Sequence, residues 1–282
     1  MKKTIIAMCV VALSCWMGVA QAEDNLINIS LGGGWHPIQY EAKVGSVSYG
    51  GGAMFQCQYQ QFFKGHIGYG VGLEVDLHNA SVEINETFES EINDPVVGSP
   101  YQLRVVFDDW KESQTLLLAE LPVGIYGDIR VNKRTNLIMG AGVKVGLPLI
   151  KTYETKSGSI ETKAYFGEKL DVEVVDLPHH GLYEDDEKRS GKIATNTLCT
   201  SFYADMMFCV KFNEVSQLHC GLYFSRGLTD LVESHESMEG GKYNGILNSD
   251  LVGECLPMSL GLKLGVTIVP SRGSERRGGE GW

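Results

Sequence analysis

Eight stretches of this chain alternate apolar residues with polar residues or glycine, one for one, and a period of two is the signature of a β-strand with two unlike faces. The first sets Ile27, Ile29, Leu31 and Trp35 against Asn28, Ser30, Gly32 and Gly34. The second sets Val47, Tyr49, Ala53, Phe55, Cys57 and Tyr59 against Ser48, Gly50, Gly52, Gln56 and Gln58, and the third sets Ile67, Tyr69, Val71, Leu73, Val75 and Leu77 against Gly68, Gly70, Gly72, Glu74, Asp76 and His78. Five more follow at 114–126, 136–147, 201–212, 217–225 and 259–268, with Leu116 and Leu118 blurring the first of these.

Alternation alone does not say which face is inside, since a soluble ligand-binding barrel alternates too. Three features favour lipid on the apolar side. Most runs reach the roughly 9–11 residues that a tilted membrane strand needs, against about 5–6 for a common soluble strand. The polar faces are rich in glycine, which weakens a solvent-facing strand but leaves room in a crowded lumen. The connections also alternate: short around Phe63–Gly65, Asp128–Thr135 and Asn213–Glu214, long at 79–113, 148–200 and 229–257. The sequence therefore predicts an all-β fold over 23–270: an eight-stranded antiparallel up-and-down transmembrane β-barrel with short periplasmic turns and long extracellular loops.

The ends read differently. Lys2 and Lys3, the apolar run Ile5–Leu13 and the small residues of Ala20-Gln21-Ala22 predict a cleavable signal peptide over 1–22. A rival site at Leu13-Ser14-Cys15 would make a lipoprotein, but Ala12 and the short apolar run fit it poorly. The Gly- and Arg-rich segment 271–282 reads as a disordered tail. A net charge of −11 excludes nucleic acid as a natural partner. Cys57, Cys199, Cys209, Cys220 and Cys255 remain beyond the signal, an odd set without CxxC spacing; they read as small apolar side chains, with a Cys199–Cys255 pairing left open.

Ala119-Glu120-Leu121-Pro122-Val123-Gly124 resembles the "LE-aliphatic-P" strand of Bacteroidetes-type outer-membrane barrels, and Gly140–Gly146 is similar to the glycine-rich strand that follows it there. Lys163–Phe166, 171–181 and Gly221–Leu228 likewise resemble a loop and a seventh strand of OmpA-like N-terminal barrels from that group. The resemblance spans nearly the whole mature chain. It implies the barrel and says little about activity. A peptidoglycan-binding domain, frequent in that family, does not follow Val269, so that anchoring is not carried over.

The polar faces place Glu74, Asp76, Glu120 and Asp205 with Lys144, Lys211 and Lys263 in the lumen, where buried charges persist only when paired. An internal ion-pair network plugging the barrel is expected, with a narrow pore lined by the same groups as the alternative. Trp35, Tyr59, Phe62, Phe63 and Phe212, near strand ends, suit a membrane-interface girdle. His78 with Asp76, His179 and His180 with Asp176, and His235 with Glu233 and Ser234 are the only pairings suggestive of catalysis, and none has the spacing of a triad. The acidic run 184–187 reads as a solvated loop rather than a cation site. No catalytic residue, metal or cofactor is expected. The expected role is a monomeric, non-enzymatic outer-membrane platform; a narrow porin-like channel is the alternative, ahead of a lipid-modifying outer-membrane enzyme or a soluble periplasmic ligand-binding barrel. Its partners would be membrane lipid and lipopolysaccharide, the outer-membrane assembly machinery, and an extracellular ligand held by loops 79–113, 148–200 and 229–257.

Overall fold

The computed structural model describes residues 24–270 apart from 64–65, 95, 97, 99, 167–170, 176–181, 183, 186–188, 214, 234 and 236–242. The expected signal peptide and tail therefore lie outside the described residues, as do His179, His180, Asp176, Ser234 and part of the acidic run. Eight long strands build the body: β1 (Asp24–Trp35), β2 (Gly51–Phe63), β3 (Ile67–Ile84), β4 (Pro100–Arg130), β5 (Thr135–Phe166), β6 (Cys199–Lys211), β7 (Ser216–Gly227) and β8 (Leu256–Ile268). Each pairs antiparallel with the next. The last pairs with the first, from Ile27 opposite Ile268 to Trp35 opposite Leu260, so the sheet closes on itself.

Closure sorts the two faces. Ser30, Gln56, Glu74, Glu120, Lys144 and Lys263 point inward and are buried. Leu31, Leu73, Ile125, Val143, Leu262 and Leu264 point outward, with Leu73 and Ile125 about 70% exposed. A continuous apolar belt around a polar interior is unstable in water and stable in a bilayer. Among the described residues no helix is long and apolar enough to cross a membrane; the strands do it instead.

The long connections expected at 79–113 and 148–200 are in large part strand. β3 has 18 residues, β4 31 and β5 32, far more than a bilayer requires. Their upper parts rise past the belt, joined by short strands at Ser46–Tyr49 and Thr87–Asn93 that pair with β3 and β4. Here the polarity of the faces reverses. On β3 the inward residues change from Glu74, Asp76 and His78 to Ala80, Val82 and Ile84, while the outward ones change from Val75 and Leu77 to Ser81 and Glu83. β4 does the same, placing Leu103, Val105, Phe107, Trp110 and Leu116 inside. This upper crown has the ordinary construction of a water-soluble domain, with an apolar core and a polar skin.

Two bulges let neighbouring strands follow the reversal. Tyr49 faces Ala80 while Ala53 faces Leu77, so one strand spends an extra residue at the Gly50–Gly52 bend. Leu117 faces Ile150 while Leu118 faces Pro148, leaving Leu149 unpaired. Each extra residue moves the following side chains to the opposite face. Higher up, Gly158 (φ 92°) turns against Asp109 and Trp110, where an added Cβ would sit 2.5 Å from backbone atoms, so only glycine fits. The Leu116 and Leu118 that blur the sequence pattern form the floor of the crown, fully buried.

The reversal predicts a position-dependent cost for charge on the outer face. Leu262→Arg, within the belt, is expected to destabilise the folded barrel in lipid vesicles by about 2–4 kcal/mol. Ser113→Arg, outward on the crown, is expected to change stability by less than about 0.5 kcal/mol. Urea titration followed by heat-dependent gel mobility reads both; equal costs would contradict the assignment.

Candidate functional site: a filled lumen beneath an extracellular crown

The interior is stacked in three layers. At the periplasmic end Leu26, Phe62, Tyr126, Ile138, Tyr203, Met207 and Cys209 form an apolar and aromatic plug. The middle is polar. The crown core lies above it. An eight-stranded barrel is about as wide as its own side chains, so these layers fill it.

The middle layer holds two ion-pair clusters. Lys144 on β5 reaches Glu74 on β3 at 2.5 Å and Glu120 on β4 at 3.1 Å. Gln56 on β2 donates to the other Glu74 oxygen at 2.8 Å. Lys263 on β8 meets Asp205 on β6 at 2.9 Å and donates to Gln56 Oε1 at 3.3 Å, which links the clusters. Gln58 bonds Tyr126, and the Tyr126 and Tyr203 hydroxyls bond each other. His219 bridges Ser30 and Thr267. The network uses strands from all around the ring, so it cross-braces the barrel.

Two expected members stand apart. Lys211 ends β6 on the periplasmic side and is exposed, because beyond the plug its inward-facing position opens to water. Asp76 is buried without a lysine partner; its neighbours are imidazoles. His36, just beyond β1, approaches Asp76 Oδ1 through Nδ1 at 2.7 Å and the Tyr223 hydroxyl through Nε2 at 2.5 Å. His78 Nε2 lies 3.3 Å from Asp76 Oδ2. The three side chains are at most about 2% exposed. The suspected His78–Asp76 pairing is thus real in space, sealed from both water and lipid. His36 was missed because one histidine after a strand end carries no periodic signal. His235 contacts the Ser249 carbonyl and Asp230 rather than Glu233.

Of the expected girdle, Trp35, Phe63 and Phe212 are exposed, with Trp35 edge-on to Tyr49 and Phe63 beside Tyr69. Tyr59 is half-buried. Phe62 is not in the girdle: adjacent strand residues face opposite ways, and with Phe63 outward, Phe62 enters the periplasmic plug. Cys199 and Cys255 are both buried and both free, so the pairing left open by the sequence does not form. Cys57 and Cys220 are exposed on the belt.

The crown is locked from above by part of the last long connection. Tyr243 packs against Trp110 with ring centroids 5.0 Å apart and against Phe107 and Tyr153. Its hydroxyl donates to Glu112 and accepts from Trp110 Nε1. A 3-10 turn, Ile246–Asn248, follows, with Ile246 N–H on Glu112 and Asn248 accepting from Ala194 N. Glu112 is buried at the centre of these contacts. Burial pushes its carboxyl up to about 7, opposed by hydrogen bonds from Tyr243, Gln114 and the Ile246 amide.

Two outcomes follow. Lys144→Met strands two buried carboxylates and is expected to cost about 3–5 kcal/mol in urea unfolding, much of it regained when Glu74→Gln and Glu120→Gln are added. Glu112 is raised relative to an unfolded carboxyl, so its contribution is greatest below about pH 4.5 and is lost as pH rises through about 7. Docking of the Tyr243 segment should therefore weaken across pH 4.5–7, by at most on the order of 3 kcal/mol. Trp110 fluorescence and amide exchange would follow it, and Glu112→Gln should flatten the dependence.

Compared with known proteins, the chain aligns with two structures of Ail, the attachment invasion locus protein of Yersinia pestis, one of them in complex with the heparin analogue sucrose octasulfate. The alignments cover 86% and 87% of this chain and 99% of Ail, at 12% identity and TM-scores of 0.31 and 0.32. No protein-family model and no curated protein matches. The barrel fold stands on its own closed strand pairing.

Proposed function

We propose that the protein is an outer-membrane platform that presents its crown to partners outside the cell, without catalytic activity. The supporting observation is the contrast between its two halves. The lumen is filled along its length, while strands far longer than a bilayer requires carry a well-packed body into the outside medium. Conduction finds no support in a bore occupied by a plug, ion pairs and an apolar core. Lipid modification finds none either, since the His–Asp grouping faces neither acyl chains nor headgroups.

The crown's charge narrows the partner. Glu83, Glu89, Glu91, Asp108, Asp109 and Glu154 are exposed there, opposed by Arg104, Lys111 and Lys156. With a whole-chain charge of −11, this surface favours a cationic protein or peptide and disfavours anionic polysaccharide. Export by a signal peptide ending at Ala22, insertion by the outer-membrane assembly machinery, a monomeric state and contact with lipopolysaccharide belong to the same reading. So does a source among the OmpA-like barrels of the Bacteroidetes, carried by Ala119–Gly124 and Gly221–Leu228.

Reconstituted in planar bilayers, the protein is expected to show no steady conductance. Displayed in vesicles, it is expected to bind a lysine-rich peptide but not heparin, with affinity falling steeply as salt rises and the Debye length shrinks. Steady single-channel currents, or heparin binding without peptide binding, would overturn the proposal.

A further inference from the structure

The His36–Asp76–His78 grouping has a composition and a charge environment that the ion-pair network does not explain. One donor atom from each residue lies within 4.8 Å of the other two, and all three residues are buried. Two ligand atoms on one tetrahedral zinc ion, each about 2.0–2.2 Å away, sit about 3.3–3.6 Å apart; Asp76 already meets His36 Nδ1 at 2.7 Å and His78 Nε2 at 3.3 Å, so binding an ion asks mainly that the two imidazoles draw together around it. Asp76 Oδ2 faces His78 Nε2 at 3.3 Å and has no closer polar partner among the described residues.

The neighbourhood is short of positive charge. Glu74, Asp76 and Glu120 approach within 4.8 Å of one another through carboxylate oxygens. Lys144 is the lysine that pairs among them, and Lys263 is committed to Asp205. With every carboxylate ionised, the three acids and Lys144 leave two negative charges in a place where uncompensated charge is costly. A divalent cation removes this deficit.

We propose that His36, Asp76 and His78 form a binding site for a divalent transition-metal ion of the zinc type, seated where the polar lumen meets the crown core. Two imidazoles and a carboxylate are a set such ions accept. His36 would ligate through Nδ1, leaving Nε2–H to donate to the Tyr223 hydroxyl, the outer contact that commonly orients a ligating histidine. The site draws on the end of β1, on β3 and on β7, so the ion would tie distant strands together. Its role is structural: nothing in the sealed lumen brings it a substrate.

The test uses the full mature chain without a histidine tag, refolded from urea into detergent with and without Zn2+ and then freed of loose metal by gel filtration. About one zinc per chain is expected, with a higher urea midpoint than metal-free protein. X-ray absorption of the zinc-loaded protein should show two imidazoles in the first shell. His78→Asn and His36→Asn should each weaken zinc retention by at least about tenfold. If these variants do not fold, the absorption spectrum of the unaltered protein decides alone. No retained zinc, retention unchanged in both variants, or a shell without two imidazoles would overturn the site. In those cases protonated imidazoles alone would balance Asp76, or histidines outside the lumen, such as the exposed His66 and the half-buried His235, would be the ligands.

Discussion

Backbone amides and carbonyls cannot go unpaired in hydrocarbon, and that constraint shapes everything else in this protein. A strand that enters lipid must be flanked on both sides, and β1 meets this demand by pairing with β8 as well as β2. Eight strands closed in this way leave a lumen about one layer of side chains wide. Water is therefore largely excluded from the lumen, and charges placed there must find protein partners. The Lys144 and Lys263 clusters follow from closure, and so do the glycines packed against large rings, such as Gly140 against Tyr126 and Gly142 against Tyr203.

The bilayer has a finite thickness, and the strands do not stop where it ends. Once past it, the physics of the two faces is exchanged: the outside meets water and the inside no longer needs to be polar. The crown is the result. Its apolar core is capped by the Tyr243 segment and floored by Leu116 and Leu118, with the histidine–aspartate grouping and the ion pairs beneath. Across the boundary the two regimes share an unbroken run of β3–β4 pairing, from Glu74 opposite Glu120 to Ile84 opposite Trp110, which ties them together.

Much of this was legible in the sequence wherever the period held. All eight strand positions and the ring they form follow from alternation, and the rule that buried charge pairs points to an internal ion-pair network; which acid Lys144 and Lys263 each meet was not legible. The crown was not legible, for a physical reason. Ala80, Val82 and Ile84 alternate as cleanly as the residues before them, but in the opposite phase, and a phase change reads as the end of a strand. The bulge at Leu149 hides the continuation of β5, and the run read straight from Val47 to Tyr59 misses the bulge at Gly50–Gly52, across which Val47 and Tyr49 take the opposite face from Ala53. Phe62 was misplaced because aromatic character was weighed over its parity with Phe63. His36, Tyr223 and Glu112 owe their importance to neighbours that only the closed ring brings near.

The exchange of environments along a single strand is best tested by spin labels placed one at a time at Val71, Leu73, Val75, Leu77, Asn79, Ser81 and Glu83 in a cysteine-free protein reconstituted in vesicles. These residues occupy one face of β3 throughout. Relaxation by oxygen, which concentrates in lipid, should dominate from Val71 to Leu77. Relaxation by a water-soluble nickel chelate should dominate from Asn79 to Glu83. Access of the chelate to the whole face, or to neither end, would contradict a barrel whose lower outer surface is in lipid and whose upper surface is in water.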